Sequence, residues 1–311
     1  MTATPLPPPP LAPESAVRRL RLDVARRLDG LLQGDHLGFL PGPGSEAGEA
    51  RLYSLGDDVR RIDWAVTART GDVVVRDAVS ERELETTLLV DLSASMSFGT
   101  VRSEKRDLAV SVAAAVMHLA GGHGDRVGAV VLRGEGLRRL PARTGRDAQL
   151  ALLHVLLGEP RSDGAGPGLS AGLAALTVPP RRRGLVVVLS DLLEGGAGDG
   201  PPPWRRPLQL LAQRHDVLVA EVVDPRELTL PDVGVLRVVD PETGRQLEVQ
   251  THSKGLRQRY AAAAAERRRG HAEAVRAAGA AHVLLRTDED WLVALARHLA
   301  ARRQARSARG R

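Results

Sequence analysis

Residues 86–96 read Thr86-Thr87-Leu88-Leu89-Val90-Asp91-Leu92-Ser93-Ala94-Ser95-Met96, and this stretch decides the fold. Thr86 to Val90 is a short, mostly apolar run, the pattern of a strand buried on both faces of a parallel sheet. Further strand signals follow at Val127–Leu132, Leu185–Leu189, Val217–Val223 and His282–Leu285. Between and after them run helical segments: Lys105–Ala120, Arg146–Leu157, Leu169–Leu176, Trp204–Arg214, the alanine-rich Lys254–Ala278, and Trp291–Arg303. Strand–helix alternation of this length predicts an α/β fold, a doubly wound, mostly parallel sheet with helices on both faces. The alternation breaks at 225–251, where Val233–Val239 and Gln246–Gln250 flank Asp240-Pro241-Glu242-Thr243-Gly244-Arg245, the signature of an inserted β-hairpin.

Upstream of the first buried strand the chain is organised differently. Residues 1–14 are proline-rich and expected to be disordered or polyproline-like. Val17, Leu20, Val24, Leu28 and Leu31 then recur at helical spacing. Such a helix either docks on a core or lies on a membrane surface; Glu14, Asp23 and Asp29 interrupt its basic face and favour docking. A loop at Pro41–Gly48 and a turn at Gly56-Asp57-Asp58 precede a strand at Val73–Val79. The expected organisation is a Pro-rich segment (1–14), an N-terminal helix with a small β subdomain (15–84), a main domain (85–303) carrying the 225–251 insertion, and a basic tail (304–311). The 233–251 hairpin is expected to pair with the 73–79 strand.

The chemistry concentrates where the first buried strand ends. Asp91, Ser93 and Ser95 leave that edge at alternate positions, offering one carboxylate and two hydroxyls to a hard cation such as Mg²⁺ or Mn²⁺. Ser190-Asp191 ends a second buried strand and can add another carboxylate through water. In open parallel sheets, ligands bind outside the carboxyl ends of strands where the strand order reverses. The competing reading is that Asp91 and the serines only cap the loop that follows.

Asp91-Leu92-Ser93-Ala94-Ser95-Met96 resembles the metal-ion-dependent adhesion site of von Willebrand factor type A domains. More specific still is Gly56-Asp57-Asp58-Val59-Arg60-Arg61-Ile62-Asp63-Trp64, continued by Ala68-Arg69. Together with His215-Asp216, Asp224-Pro225-Arg226-Glu227 and Leu230-Pro231-Asp232-Val233-Gly234, it is similar to the bacterial domain-of-unknown-function family 58, over roughly residues 17–300. The resemblance implies a type A-like domain and a non-enzymatic protein-interaction module. It also implies a partnership with a MoxR-type AAA+ ATPase, or its client, in assembling or remodelling other proteins. Two departures matter. Pro167 falls where type A domains place a ligating threonine, so Ser162 or Asp163 would have to substitute; and Ala47 follows Glu46 where the family usually has an aromatic residue.

Asp57, Asp58, Arg60 and Asp63, with Arg69, form either a partner-docking surface or a turn whose charges pair internally. Trp64 is expected in the core in both cases. Gly168-Leu169-Ser170-Ala171-Gly172 fits a hydrolase nucleophile elbow, with Asp191 and His252 as partners, but no strand precedes it. Neither lysine, Lys105 or Lys254, follows a glycine, which excludes a Walker A loop. His118 and His123 are a close pair expected at the surface or at a helix end.

Composition narrows the classes further. The 311 residues contain no cysteine, so disulfides, thiolate metal sites and cysteine nucleophiles are out. No apolar run reaches the roughly 18 residues of a membrane span, and the N-terminus lacks the pattern of a secretory signal, which sets the expectation of a cytoplasmic protein. Of the net charge of +6, five positive charges lie in Arg302–Arg311. Peripheral binding of nucleic acid or an anionic membrane through that arginine-rich tail is the remaining alternative.

Overall fold

The computed structural model describes residues 13–32, 50–54, 59, 62–76, 85–101, 103–121, 125–162, 164–177, 183–194 and 200–309. Residues 1–12, the 41–48 loop, Asp57, Asp58, Arg60, His123 and Asp163 lie outside them.

β3 (Glu85–Asp91) is a middle strand of a six-stranded sheet. Leu88 and Val90 enter one apolar layer and Leu89 the opposite one, as the two-residue period of a strand requires. β4 (Arg126–Arg133) and β6 (Leu185–Ser190) flank it in parallel, with Asp91 level with Leu132 and Val90 level with Leu189. Across the sheet the order is β10 (Ala281–Arg286), β7 (Asp216–Val223), β6, β3, β4 and β5 (Gly136–Arg143). Only β5 runs antiparallel to its neighbour. The chain winds outward from β3 in one direction and then, from β6, in the other, so the order reverses between β3 and β6.

Helices cover both faces, as the alternation predicted. One layer holds α1 (Pro13–Leu32), α3 (Lys105–Gly121), α4 (Arg146–Gly158) and α8 (Trp291–Arg309). The other holds α5 (Leu169–Leu176), α6 (Arg205–Ala212) and α7 (Lys254–Ala277). α1 docks: Val17, Val24 and Leu28 are buried, and the helix packs against α3, α4 and α8. Each such side chain contributes about 1.5–3 kcal/mol of transfer free energy before the entropy of ordering is subtracted. α8 continues to Arg309, so most of the expected basic tail is helix.

Three readings need correction. Among the described residues the 233–251 hairpin does not pair with the upstream strand: β8 (Val235–Val239) and β9 (Gln246–Gln250) form their own two-stranded sheet. The upstream strand, β2 (Val74–Arg76), pairs instead with β1 (Ala50–Leu52), and Ile62 bridges Val75. Trp64 is not core but 69% exposed, because it opens α2 (Trp64–Thr70), a surface helix with no buried residue. Asp63 caps that helix, accepting from the N–H groups of Ala65 and Val66 at 3.0 and 3.1 Å. Finally, β5 was missed. Its Arg138, Arg139, Pro141 and Arg143 do not read as a strand, yet charged residues and proline are what an edge strand tolerates. Gly128 lets β5 bulge close: a Cβ there would sit 2.8 Å from the Ala142 nitrogen.

Candidate functional site

Reversal of the strand order opens the crevice between the carboxyl ends of β3 and β6, and Asp91 and Asp191 stand on its two sides. Asp91 ends β3 and is 5% exposed. Its Oδ1 accepts from the Ser93 N–H at 3.0 Å, and its Oδ2 from the Ser190 hydroxyl at 2.7 Å. The chain then turns through a short 3-10 segment, Ala94–Met96, which brings the Ser93 and Ser95 hydroxyls to 3.3 Å from each other. Ser95 in turn stands beside Asp191 and favours its ionised form. All four residues expected from the sequence are therefore in one cluster.

Backbone geometry marks the same place. Leu192, directly after Asp191, has φ of 60°, the non-glycine residue found in the left-handed region among the described residues. It is held there by Ser190 Oγ, which accepts its N–H, and by the Trp204 indole N–H, which donates to its carbonyl. Backbone strain that neighbouring groups over-determine in this way is characteristic of functional sites.

The two carboxylates differ in their environment. Burial and then the charge of Asp191 raise the pKa of Asp91, and its hydrogen bonds from Ser93 and Ser190 only partly offset this. Burial would also raise Asp191, but the Lys105 ammonium outweighs it and holds this carboxyl below the usual range. Lys105 is the residue the sequence reading missed. It opens α3, is 0% exposed, and places Nζ 2.7 Å from Asp191 Oδ2 and 2.6 Å from Glu227 Oε1. Burial pulls its pKa down, and the charges of Asp191 and Glu227 more than restore it, so it stays charged.

Glu227 closes a one-turn 3-10 segment, Pro225–Glu227, that follows β7 and is held by a capping box with Asp224. Asp224 is fully buried and accepts from the Thr100 N–H and hydroxyl, the Arg226 N–H and the Thr287 hydroxyl. Behind the site, Glu221 of β7 is fully buried and takes hydrogen bonds from His271 and His282 at 2.8 Å each and an ion pair from Arg268. Arg268 also reaches the Asp191 carbonyl at 3.4 Å.

Other expected residues are placed apart from this cluster. Ser162 donates to the Leu92 carbonyl and accepts the Gly134 N–H, so its hydroxyl fastens a loop. Ser170 lies in the first turn of α5, where its N–H and hydroxyl are both held by Glu194. His252 faces Asp232 at 2.7 Å, while Asp191 faces Lys105; the structure does not assemble a Ser170–His252–Asp191 triad.

A divalent cation fits the Asp91 corner by chemistry. Asp91 is a buried carboxylate whose hydrogen bonds come from neutral donors, beside two hydroxyls, and these are hard oxygen ligands. Pro167 supplies no side-chain oxygen, so water would complete the sphere. Among the described residues no group of three or more His, Asp or Glu side chains is placed to hold a metal.

The model of a family described as "Protein of unknown function DUF58" matches residues 49–270. The chain belongs to the DUF58 family. The match takes in Asp91, Ser93, Ser95, Lys105, Asp191, Glu227 and Arg268. An uncharacterized protein of Mycobacterium tuberculosis is 49% identical over 291 residues, 93% of this chain and 90% of that protein. An uncharacterized protein of Mycobacterium avium is 40% identical over 169 residues, 54% of this chain and 96% of its own. Among solved structures, an aerotolerance-related membrane protein from Bacteroides fragilis aligns with TM-score 0.45 and 16% identity, covering 70% of this chain and 99% of that one. A von Willebrand factor type A structure from Catenulispora acidiphila aligns with TM-score 0.38 and 12% identity, covering 73% of this chain and 42% of that one. No helix among the described residues of this DUF58 chain is long and apolar enough to cross a membrane.

Proposed function

We propose that this DUF58 protein is a non-enzymatic protein-interaction module whose docking point is the crevice between β3 and β6. Asp91, Ser93 and Ser95 would hold Mg²⁺ or Mn²⁺, with Asp191 acting through water, and one position is left for an acidic side chain of a partner. The partner we infer is a MoxR-type AAA+ ATPase or its client, in the cytoplasm, a compartment compatible with a chain that has no cysteine.

The observation that carries this reading is Asp91. A carboxylate taken out of water without a counter-charge is costly, and folds keep such groups mainly where a ligand makes use of them. A hydrated magnesium ion needs only one or two protein carboxylates, so the missing threonine does not disqualify the corner. The test is capture of the organism's MoxR-type ATPase in Mg²⁺, in EDTA, and by Asp91→Ala. Loss of capture in the last two supports the proposal; capture unchanged by both overturns the metal mechanism.

A further inference from the structure

We propose that Lys105 is the site's resident cation, permanently compensating Asp191 and Glu227 and thereby setting how tightly the Asp91 corner takes a divalent ion. The last step rests on the metal reading above; the compensation itself does not.

Several observations converge on this residue. Lysine is scarce in this chain, two of 44 basic residues, yet one of the two is completely buried. A buried ammonium persists only when paired, and Lys105 has two carboxylates within 2.7 Å, from separate elements. Its position is unfavourable on local grounds: it is the first residue of α3, where the helix macrodipole disfavours a cation. The position is explained by the long-range pair and not by the helix. A compact ammonium with three donors suits a point between two carboxylates better than the planar fork of arginine. Arg268, the other cation nearby, comes no closer than 3.9 Å to Glu227.

The contacts give the consequence. Lys105 is in direct contact with Asp191 and Glu227, whereas Asp91 is held by the neutral donors Ser93 and Ser190. With its Oδ2 on Lys105 and its Oδ1 on the Leu193 N–H, Asp191 is not free to enter the first coordination sphere. The ammonium also repels an arriving cation through a medium of low effective dielectric. Removing its charge therefore frees a carboxylate and removes a repulsion together.

The experiment is Mn²⁺ binding followed by electron paramagnetic resonance, with thermal melts in EDTA and in Mn²⁺. The proteins are the wild type, Lys105→Met, and Lys105→Met/Glu227→Gln, which leaves one fewer unpaired acid and keeps the test readable if the single variant folds poorly. Both variants are expected to bind Mn²⁺ about tenfold or more tightly than the wild type. Lys105→Met is expected to melt lower in EDTA and to recover in Mn²⁺. Tightened binding by the variants when the wild type binds no Mn²⁺ supports Lys105 as the resident cation and removes the wild-type metal reading. Unchanged or weaker binding by both variants, with a wild type that does bind, overturns the inference and leaves the metal reading standing. No binding by any of the three overturns the metal reading and the tuning step with it, and a Lys105→Met protein that melts no lower than the wild type in EDTA overturns the compensation itself.

Discussion

The Ser190 hydroxyl donates to Asp91 Oδ2 at 2.7 Å and so ties the end of β6 to the end of β3 at the point where the sheet changes its direction of winding. That bond satisfies the Asp91 carboxylate without neutralising it. The distinction underlies the first expected outcome.

Asp91→Asn keeps an acceptor for the Ser93 N–H and offers the Ser190 hydroxyl a donor in place of the carboxylate. It removes a charge that burial and Asp191 make unfavourable. In EDTA the variant is expected to be more stable than the wild type by roughly 1–3 kcal/mol in urea unfolding, and to show no added stability in Mg²⁺. A loss of stability in EDTA would mean that the carboxylate is structural.

Acid sensitivity should trace to Glu221. Burial would raise its pKa, but the hydrogen bonds of His271 and His282 and the charge of Arg268 bring it from 4.5 down to about 2. A folded-state pKa below the unfolded value means the stabilisation is complete above about pH 4.5 and is lost as pH falls toward 2. The interval corresponds to roughly 3 kcal/mol. Glu221→Gln is expected to flatten the stability curve between those pH values; a slope equal to that of the wild type would refute the assignment.

Asp224 anchors three segments at once: the loop at Thr100, the turn at Arg226 and the end of β10 at Thr287. Asp224→Ala strands these donors and is expected to cost about 3 kcal/mol or more in urea unfolding, with Glu227 and hence Lys105 losing their fixed positions. A change below about 1 kcal/mol would show that water replaces the carboxylate without penalty.

Ser170 should be unreactive. Its hydroxyl donates to Glu194 at 2.5 Å, and no histidine among the described residues is placed on it. A fluorophosphonate probe is expected to leave it unlabelled, and Ser170→Ala to leave partner capture intact. Labelling at Ser170 would reopen a hydrolase reading.

The sheet and the placing of Asp91, Ser93, Ser95 and Asp191 at its strand ends were legible because each depends on local pattern. Leu185–Leu189 is apolar throughout and stops at Ser190-Asp191, so both the strand and the site residue show in the same few positions. Lys105 was not legible. Its meaning depends on Asp191 and Glu227, 86 and 122 residues further along the chain, which only the winding of the sheet brings together. β5 escaped because its arginines and Pro141 obscure its two-residue period, and Trp64 misled because a large aromatic side chain at a helix start can remain in solvent. The hairpin was found, but its partner was misassigned: β8 and β9 satisfy each other's backbone and need no third strand.

The arginines and Pro141 of β5 have one more consequence. A sheet of apolar strands can template copies of itself through its two open margins, and growth into a filament requires both. Here one margin is closed by charge and by a residue that lacks a backbone donor. Any strand-to-strand self-association through β10 would therefore end at two copies.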